Sequence, residues 1–503
     1  MTLSKFETAQ SSRYGYPSLP PQAQCPTFDQ TAVPAKPELL YQSLADLIAA
    51  TINAGTLRPG ERLPSVRQAC ASHNVSPATV LQAYALLEAQ GLIEARPRSG
   101  YYVRARIGSR LAEPDISRPL GSSTALEVSD FIFEILESVR DPDVVPLGSS
   151  FPSPYLFPLD KLARHLAASA RHLDPRSTVT DLPPGNEELR RQIALRYLAA
   201  GADVPPAEIV ITSGAMEALN LCIEAVTQPG DLVAIESPCF YGVLQAIERR
   251  GLKVVEIPTH PRDGIDLNAL ADALRHHPIK ACLAMLNFQN PLGSCVPDEH
   301  RRQLVALLAK YGVPLIEDDV YSELYFGNER PLPSKSLDSR GEVLHISSFA
   351  KCLAPGYRVG WVAAGRYAEK VRRLKMSTSI ATNIPAQAAL ADYLKHGGFE
   401  NHLRHLRAKL ASQEAAMVDH IERTFPSGTR LARPKGGYFL WLELPNLDAL
   451  ALHRRALDRG ISIAPGPIFS AKREFRNAIR LNCGHPWSSR IEEAMVTLAV
   501  LMR

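Results

Sequence analysis

Several short stretches of this 503-residue chain carry side chains able to do chemistry. Residues 346–351 (Ile-Ser-Ser-Phe-Ala-Lys) read as a strand ending in a lysine, with Arg358 seven residues on. A lysine amine can form a Schiff base with a carbonyl compound, while Ser348 and Arg358 can hold a phosphate. Residues 315–321 (Leu-Ile-Glu-Asp-Asp-Val-Tyr) put Asp318 and Asp319 at the C-terminal end of an apolar strand, where ligands gather in an open α/β sheet. Residues 209–216 run from a strand through Ser213-Gly214 into a helix near Ala215, a place where free N–H groups attract anions. Asn290-Pro291-Leu292-Gly293 follows a further strand. Each stretch has an ordinary alternative: a surface lysine, a capping aspartate, a turn-forming asparagine. Asp319 reads as such a cap. The order and spacing of all four together carry the argument.

A second chemistry lies near the N-terminus. From residue 58 to 106 there are seven arginines (58, 62, 67, 96, 98, 104, 106) and three acids (Glu61, Glu88, Glu94). The guanidinium is a planar, permanent cation suited to phosphates and base edges. A solvated basic face on a protein-binding module is the alternative from charge alone. The whole chain's net charge of +4 is too small to decide the matter.

The elements that must position these groups follow from periodicity. Tyr41, Leu44, Ile48 and Ile52 share one helix face, with Gly55 as a stop. Pro64 and Ser65 open a second helix running to about His73. Ser76 and Pro77 start a third, burying Val80, Ala83, Tyr84 and Leu87 and ending at Gly91. Two short strands around residues 96–100 complete a winged helix-turn-helix. Residues 107–129, rich in Pro, Gly and Ser, are expected to be a linker, and residues 1–36 a flexible arm. From 130 to 503, buried strands alternate with helices (209–211, 232–235, 281–285, 313–316, 343–346, 359–363). That pattern predicts an α/β domain with a mostly parallel sheet covered on both faces.

Composition excludes other classes. Hydrophobic residues make up 45% and charged residues 21%, which is ordinary for globular chains and unlike a disordered or coiled-coil one. No apolar run reaches 18 residues and no secretory signal opens the chain, so no membrane span is expected. The eight cysteines lie singly in aliphatic surroundings, predicting reduced thiols in a cytoplasmic protein and no metal site.

The N-terminal string resembles the GntR type of bacterial repressor domain. It comprises Leu57, Pro59-Gly60, Leu63-Pro64-Ser65, Arg67, Val75-Ser76, Thr79-Val80, Tyr84, Leu87, Gly91-Leu92-Ile93, Ser99-Gly100 and Val103. The resemblance implies that Arg67, Ser76, Thr79, Arg98 and Gly100 approach double-stranded DNA. The C-terminal motifs, with Pro238-Cys239-Phe240, Gly436-Gly437-Tyr438, Pro465-Gly466 and Ile479-Arg480-Leu481-Asn482, resemble the fold-type I aminotransferases that use pyridoxal 5'-phosphate. This implies a large sheet domain with a smaller C-terminal lobe. Lys351 would hold the cofactor as an aldimine and Asp318 would pair with its pyridine nitrogen. Tyr321 and Asn290 would bond its phenolic oxygen, and Phe240 would stack on the ring. Ser213, Gly214, Ala215, Ser348 and Arg358 would bind the phosphate, and Arg480 an amino acid's carboxylate. One departure stands out. The family commonly places a tyrosine about five residues before the glycine of its Gly-x-x-x-Leu-Arg stretch, for the partner subunit's phosphate; counting back from Gly185 lands on Thr180.

The fusion resembles the MocR group of GntR regulators. It implies a transcriptional regulator that senses an amino acid, an amine or the cofactor itself at Lys351, working as a head-to-tail homodimer. The alternative is an active aminotransferase with an accessory N-terminal domain.

Overall fold

A computed structural model of the chain describes residues 40–53, 57, 61–96, 99–103, 111–119, 121–137, 141, 143–180, 182–327 and 329–503. The expected arm and Arg98 lie outside the described residues.

The N-terminal unit has three helices, α1 (Leu40–Asn53), α2 (Val66–His73) and α3 (Pro77–Ala89), then β1 (Ile93–Arg96) and β2 (Gly100–Val103). Local chemistry sets these bounds. Ser65 and Gln68 form a reciprocal capping box at the start of α2, and the Ser76 side chain accepts from Thr79 N at α3. Gly91, at φ +68°, turns the chain into β1, which pairs antiparallel with β2 from Ile93 opposite Val103. Leu44, Ile48, Leu63, Val80, Tyr84, Leu87, Ile93 and Val103 form one core. The Tyr84 hydroxyl donates to Pro64 O at 2.7 Å, so its burial leaves no unmet donor.

The rest is built on two sheets. The larger contains β3 (Thr124–Ala125), β4 (Ile209–Thr212), β5 (Leu232–Ser237), β6 (Lys253–His260), β7 (Gly264–Ile265), β8 (Ile279–Ala284), β9 (Leu315–Asp318), β10 (Val343–Ser348) and β11 (Gly360–Ala363). Its order is β3-β6-β5-β8-β9-β10-β11-β4, with β7 paired to β6. β6, β5, β8, β9 and β10 run parallel, whereas β3, β11 and β4 pair antiparallel. Alternation along each strand divides the core between two faces. Val233 and Ile235 pack with Ala218 and Leu244; Leu232 and Ala234 pack with Leu270 and Leu304. The smaller sheet joins β12 (Arg430–Leu431), β13 (Phe439–Glu443), β15 (Ala478–Asn482) and β14 (Ala464–Pro465) in that order, all antiparallel.

The segment expected as a linker is laid along this unit over residues 111–119 and 121–128. β3 pairs with Val254 and Lys253 of β6, and Leu126 and Val128 are buried. Its Pro, Gly and Ser content and its lack of a hydrophobic period concealed this. Helix α4 (Ser129–Glu137) then begins under Glu248, whose carboxylate accepts from Ser129 N at 2.8 Å. No helix among the described residues is long and apolar enough to cross a membrane.

Candidate functional site

The sheet's C-terminal strand ends converge with the start of the helix Ala215–Val226. Asp318 closes β9; it is buried, and its Oδ1 has no hydrogen-bond partner among the described residues. Burial, reinforced by Asp319, pushes its carboxyl up to about 7, while the Lys351 charge opposes the rise. A desolvated carboxylate with an open lone pair is matched by a cationic N–H donor.

Asp319 is not a cap. It accepts from Asn287 Nδ2 at 2.8 Å and lies 3.0 Å from His345 Nε2. His345 Nδ1 is 2.7 Å from the Tyr197 hydroxyl, which accepts from Trp361 Nε1 at 3.0 Å. This chain of bonds holds the end of β9 and orients the Asp319 carboxyl beside Asp318.

Lys351 lies three residues beyond β10. Its Nζ donates to Ser150 O at 2.8 Å and sits 3.8 Å from the centre of the Phe151 ring. Desolvation, then the nearby Arg480 and Arg358 charges, lower its pKa to about 7 against the pull of Asp318. At neutral pH a large share of the amine is therefore uncharged and nucleophilic.

Arg480, on β15, is fully buried, and among the described residues its acceptors are neutral: Asn290 Oδ1 at 2.8 Å, Gly148 O at 2.6 Å, Ser149 O at 3.1 Å and Ser150 Oγ at 3.4 Å. Among the described residues its Nε and the Nδ2 of Asn290 have no partner. Burial lowers its pKa. A buried cation without an anion is costly, and an incoming carboxylate relieves the cost. Tyr321 is buried edge-on to Tyr438, and burial raises its hydroxyl's pKa.

Gly214 has φ +89°, and a Cβ there would sit 2.5 Å from Arg358 Nη2. Glycine thus lets the Arg358 guanidinium lie over the helix start, where backbone N–H groups already favour an anion. The expected phosphate ligands differ in freedom. Ser213 N–H is taken by Glu217 Oε2 at 2.6 Å, and Glu217 is held by Lys375 at 2.9 Å. The Ser213 hydroxyl lies 3.4 Å from Thr382 Oγ1. Ser348 Oγ donates to Val359 O at 3.1 Å.

One cleft brings together Ala215, Phe240, Asp318, Tyr321, Ser348, Lys351 and Arg358. Ser213, Gly214, Asn290 and Arg480 do not line it; Gly214 supports Arg358, and Asn290 holds Arg480. The wall also includes Ser150, Phe151, Met216 and Tyr241, which the motifs did not single out. Asn482 was the available signal: two residues after Arg480, its Nδ2 donates to Phe151 O at 2.7 Å and Ser149 O at 3.0 Å. Thr180 is exposed, and its hydroxyl bonds Arg176 O at 3.0 Å.

In the N-terminal unit, Arg67 and Ser76 are exposed and Thr79 is half-buried. The Ser76 hydroxyl accepts from Thr79 N at 3.2 Å and meets Thr79 Oγ1 at 2.9 Å, so it fixes the end of α3. Gly100 has φ +103°, and a Cβ would lie 3.2 Å from Arg62 Nε. Arg67→Ala is expected to weaken DNA binding evenly across sequences and to reduce the salt slope by about 1, as measured by titration at several ionic strengths.

Known proteins match both units. Residues 144–498 match the family of aminotransferases class I and II, and residues 40–103 match the bacterial regulatory proteins of the gntR family. An HTH-type transcriptional regulator of Escherichia coli K12, YdcR, is 48% identical over 92% of this chain and 99% of its own. A kynurenine aminotransferase from Pyrococcus horikoshii, solved with PMP, has a TM-score of 0.69 at 28% identity, over 75% of this chain and 95% of its own. LysN, an α-aminoadipate aminotransferase from Thermus thermophilus complexed with N-(5'-phosphopyridoxyl)-L-leucine, has a TM-score of 0.66 at 29% identity, over 75% and 98%. With a gntR-type reader on a fold-type I aminotransferase domain, this chain belongs to the MocR-type regulators of the GntR family.

Proposed function

We propose that the chain binds pyridoxal 5'-phosphate covalently at Lys351 and regulates transcription in response to an amino acid, an amine or the cofactor itself. The observation that carries this reading is the unmet Oδ1 of Asp318, in the same cleft as an amine whose pKa is about 7. When bound, the cofactor supplies an aldehyde and an electron-withdrawing ring. The chain's own groups do the rest. Asp318 faces the ring nitrogen and keeps its proton in place. Asn290 Nδ2 and Tyr321 bond the phenolic oxygen. Phe240 covers the ring face, Arg358 and the helix start hold the phosphate, and Ala215 N–H and the Ser213 hydroxyl complete that cradle, with Gly214 making room. Arg480 takes the effector's carboxylate as a bidentate fork.

The protein works as a head-to-tail dimer in the cytoplasm, each reader unit docking on the partner, with Arg67, Ser76, Thr79, Arg98 and Gly100 toward the duplex. Effector binding shifts DNA affinity by about 5- to 150-fold, which requires about 1–3 kcal/mol of coupling between the sites. The second reading, a working aminotransferase, is favoured by the intact set Lys351, Asp318, Tyr321 and Arg480.

One experiment separates the two. DNA binding is titrated with and without cofactor and amino acids, and turnover of amino acid with keto acid is followed in parallel. A DNA response with turnover far below about 10 per second supports the regulator. Turnover at that level with no DNA response supports the enzyme.

A further inference from the structure

A second cleft lies apart from the cofactor site, and among the described residues the two share no lining side chain. Three arginines enter it from separate segments: Arg196 near the end of the helix Glu187–Ala199, Arg330, and Arg407 on the long helix Phe399–Thr424. All three meet one carboxylate. Glu323 Oε1 lies 2.5 Å from Arg196 Nη2 and 3.1 Å from Arg330 Nη2, and its Oε2 accepts from Arg407 Nη2 at 3.3 Å. Arg407 Nε donates to the Glu323 carbonyl at 2.7 Å. Burial pushes the Glu323 carboxyl up, yet the three guanidinium charges hold it at about 2.

The charges lining this cleft do not balance. Among the described residues, three cations face two acids, Glu323 and Glu400. Glu400 is 66% exposed and is held by Arg196 Nη1 at 2.6 Å. An ion pair so open to water contributes little and is readily exchanged for a better acceptor. Donors are also in surplus, since each guanidinium carries five N–H groups. Arg330 Nε has no hydrogen-bond partner among the described residues. Two of the arginines are fixed against rings: Arg407 lies 3.8 Å from the centre of Tyr325, and Arg196 lies 4.5 Å from the centre of Phe399. Forks held in this way lose little freedom when they bind an anion. The rest of the wall selects the kind of anion. Leu195, Ala199 and Leu394 line the same cleft, and Leu195 is exposed. A bare inorganic anion leaves these surfaces wet, whereas a hydrocarbon chain on the anion covers them.

We propose that this cleft is a second ligand site, which takes a small aliphatic carboxylate. Its anionic end meets the arginine cluster, and its hydrocarbon body lies on Leu195 and Leu394. Glu400 competes with the ligand for Arg196. The site does not depend on the chemistry assigned to Lys351.

The test uses the full chain loaded with N-(5'-phosphopyridoxyl)-L-leucine, so that the cofactor cleft and Arg480 are already occupied. The loaded chain is titrated by calorimetry at low ionic strength with 4-methylpentanoate and, separately, with inorganic phosphate. The wild type is expected to bind one 4-methylpentanoate per chain. Arg330→Gln should weaken binding about tenfold, through loss of a charged donor. Leu195→Asp, at an exposed position, should weaken it by a similar factor, by placing a like charge on the rim. Glu400→Gln, also exposed, should tighten it about threefold or more by freeing Arg196. No binding at millimolar concentration, unchanged affinity in Leu195→Asp and Glu400→Gln, or phosphate bound as tightly as 4-methylpentanoate overturns the site. A chain that does not take up the adduct counts against the cofactor reading alone. The same variants still decide this site, because Leu195, Arg330 and Glu400 do not line the cofactor cleft.

Discussion

Replacing Arg480 with alanine is expected to weaken amino-acid binding by about 3 kcal/mol, roughly 150-fold, while the cofactor still attaches at Lys351. Arg480 is buried among neutral acceptors, and two of its bonds go to the backbone carbonyls of Gly148 and Ser149. These bonds aim the fork and leave its charge unneutralised. A carboxylate is the ligand group that gains most there. Arg480→Lys keeps a cation and loses the planar pair of donors, so it should fall between wild type and alanine. The readout is an amino-acid titration followed by the bound cofactor's absorbance. Equal affinities in wild type and Arg480→Ala would place the carboxylate elsewhere.

The second large effect is expected at Asp318. Asp318→Asn removes the charge opposite the ring nitrogen and should weaken cofactor retention by about 2 kcal/mol, roughly 30-fold, measured by dialysis and absorbance. Without a ligand the carboxyl titrates near 7, since burial and Asp319 both disfavour its charged form. A bound cation reverses that balance and draws the value down. Cofactor binding should therefore strengthen as pH rises through 7 and Asp318 ionises. Asp319→Asn removes the neighbouring repulsion, so the Asp318 pKa falls and this pH dependence moves to lower pH. If Asp318→Asn retains cofactor as the wild type does, the pairing is absent.

Much of this site was legible because its chemistry needs rare placements. Lys351, Asp318 and Arg480 each sit at the end of, just beyond, or within a buried strand, where charge is expensive and marks a use. The reader unit was legible through its caps: Ser65, Ser76 and Pro77 start helices for local reasons that need no tertiary knowledge. Other features depend on contacts between distant segments. Ser150 and Phe151 carry no local signal, and side chains from distant segments bond them at the cleft: Tyr241, Lys351, Tyr438, Arg480 and Asn482. Glu217 looks like a surface acid at a helix start, yet it takes the N–H of Ser213, one of the residues expected to bind the phosphate. Asp319 read as a cap because its partners Asn287 and His345 lie 32 and 26 positions away. Residues 111–119 and 121–128 read as a linker because their Pro, Gly and Ser content leaves no hydrophobic period, although Leu126 and Val128 are buried.

The most direct measurement is borohydride reduction of the cofactor-loaded chain, followed by proteolysis and mass spectrometry. The expected result is a phosphopyridoxyl group on Lys351 and no label in Lys351→Ala. Labelling yield after a brief exposure should climb between pH 6 and pH 8, as the uncharged fraction of an amine with pKa about 7 rises from about one-tenth to about nine-tenths. A folded wild-type chain that carries no label at position 351, or carries it on another lysine such as Lys375, contradicts the assignment.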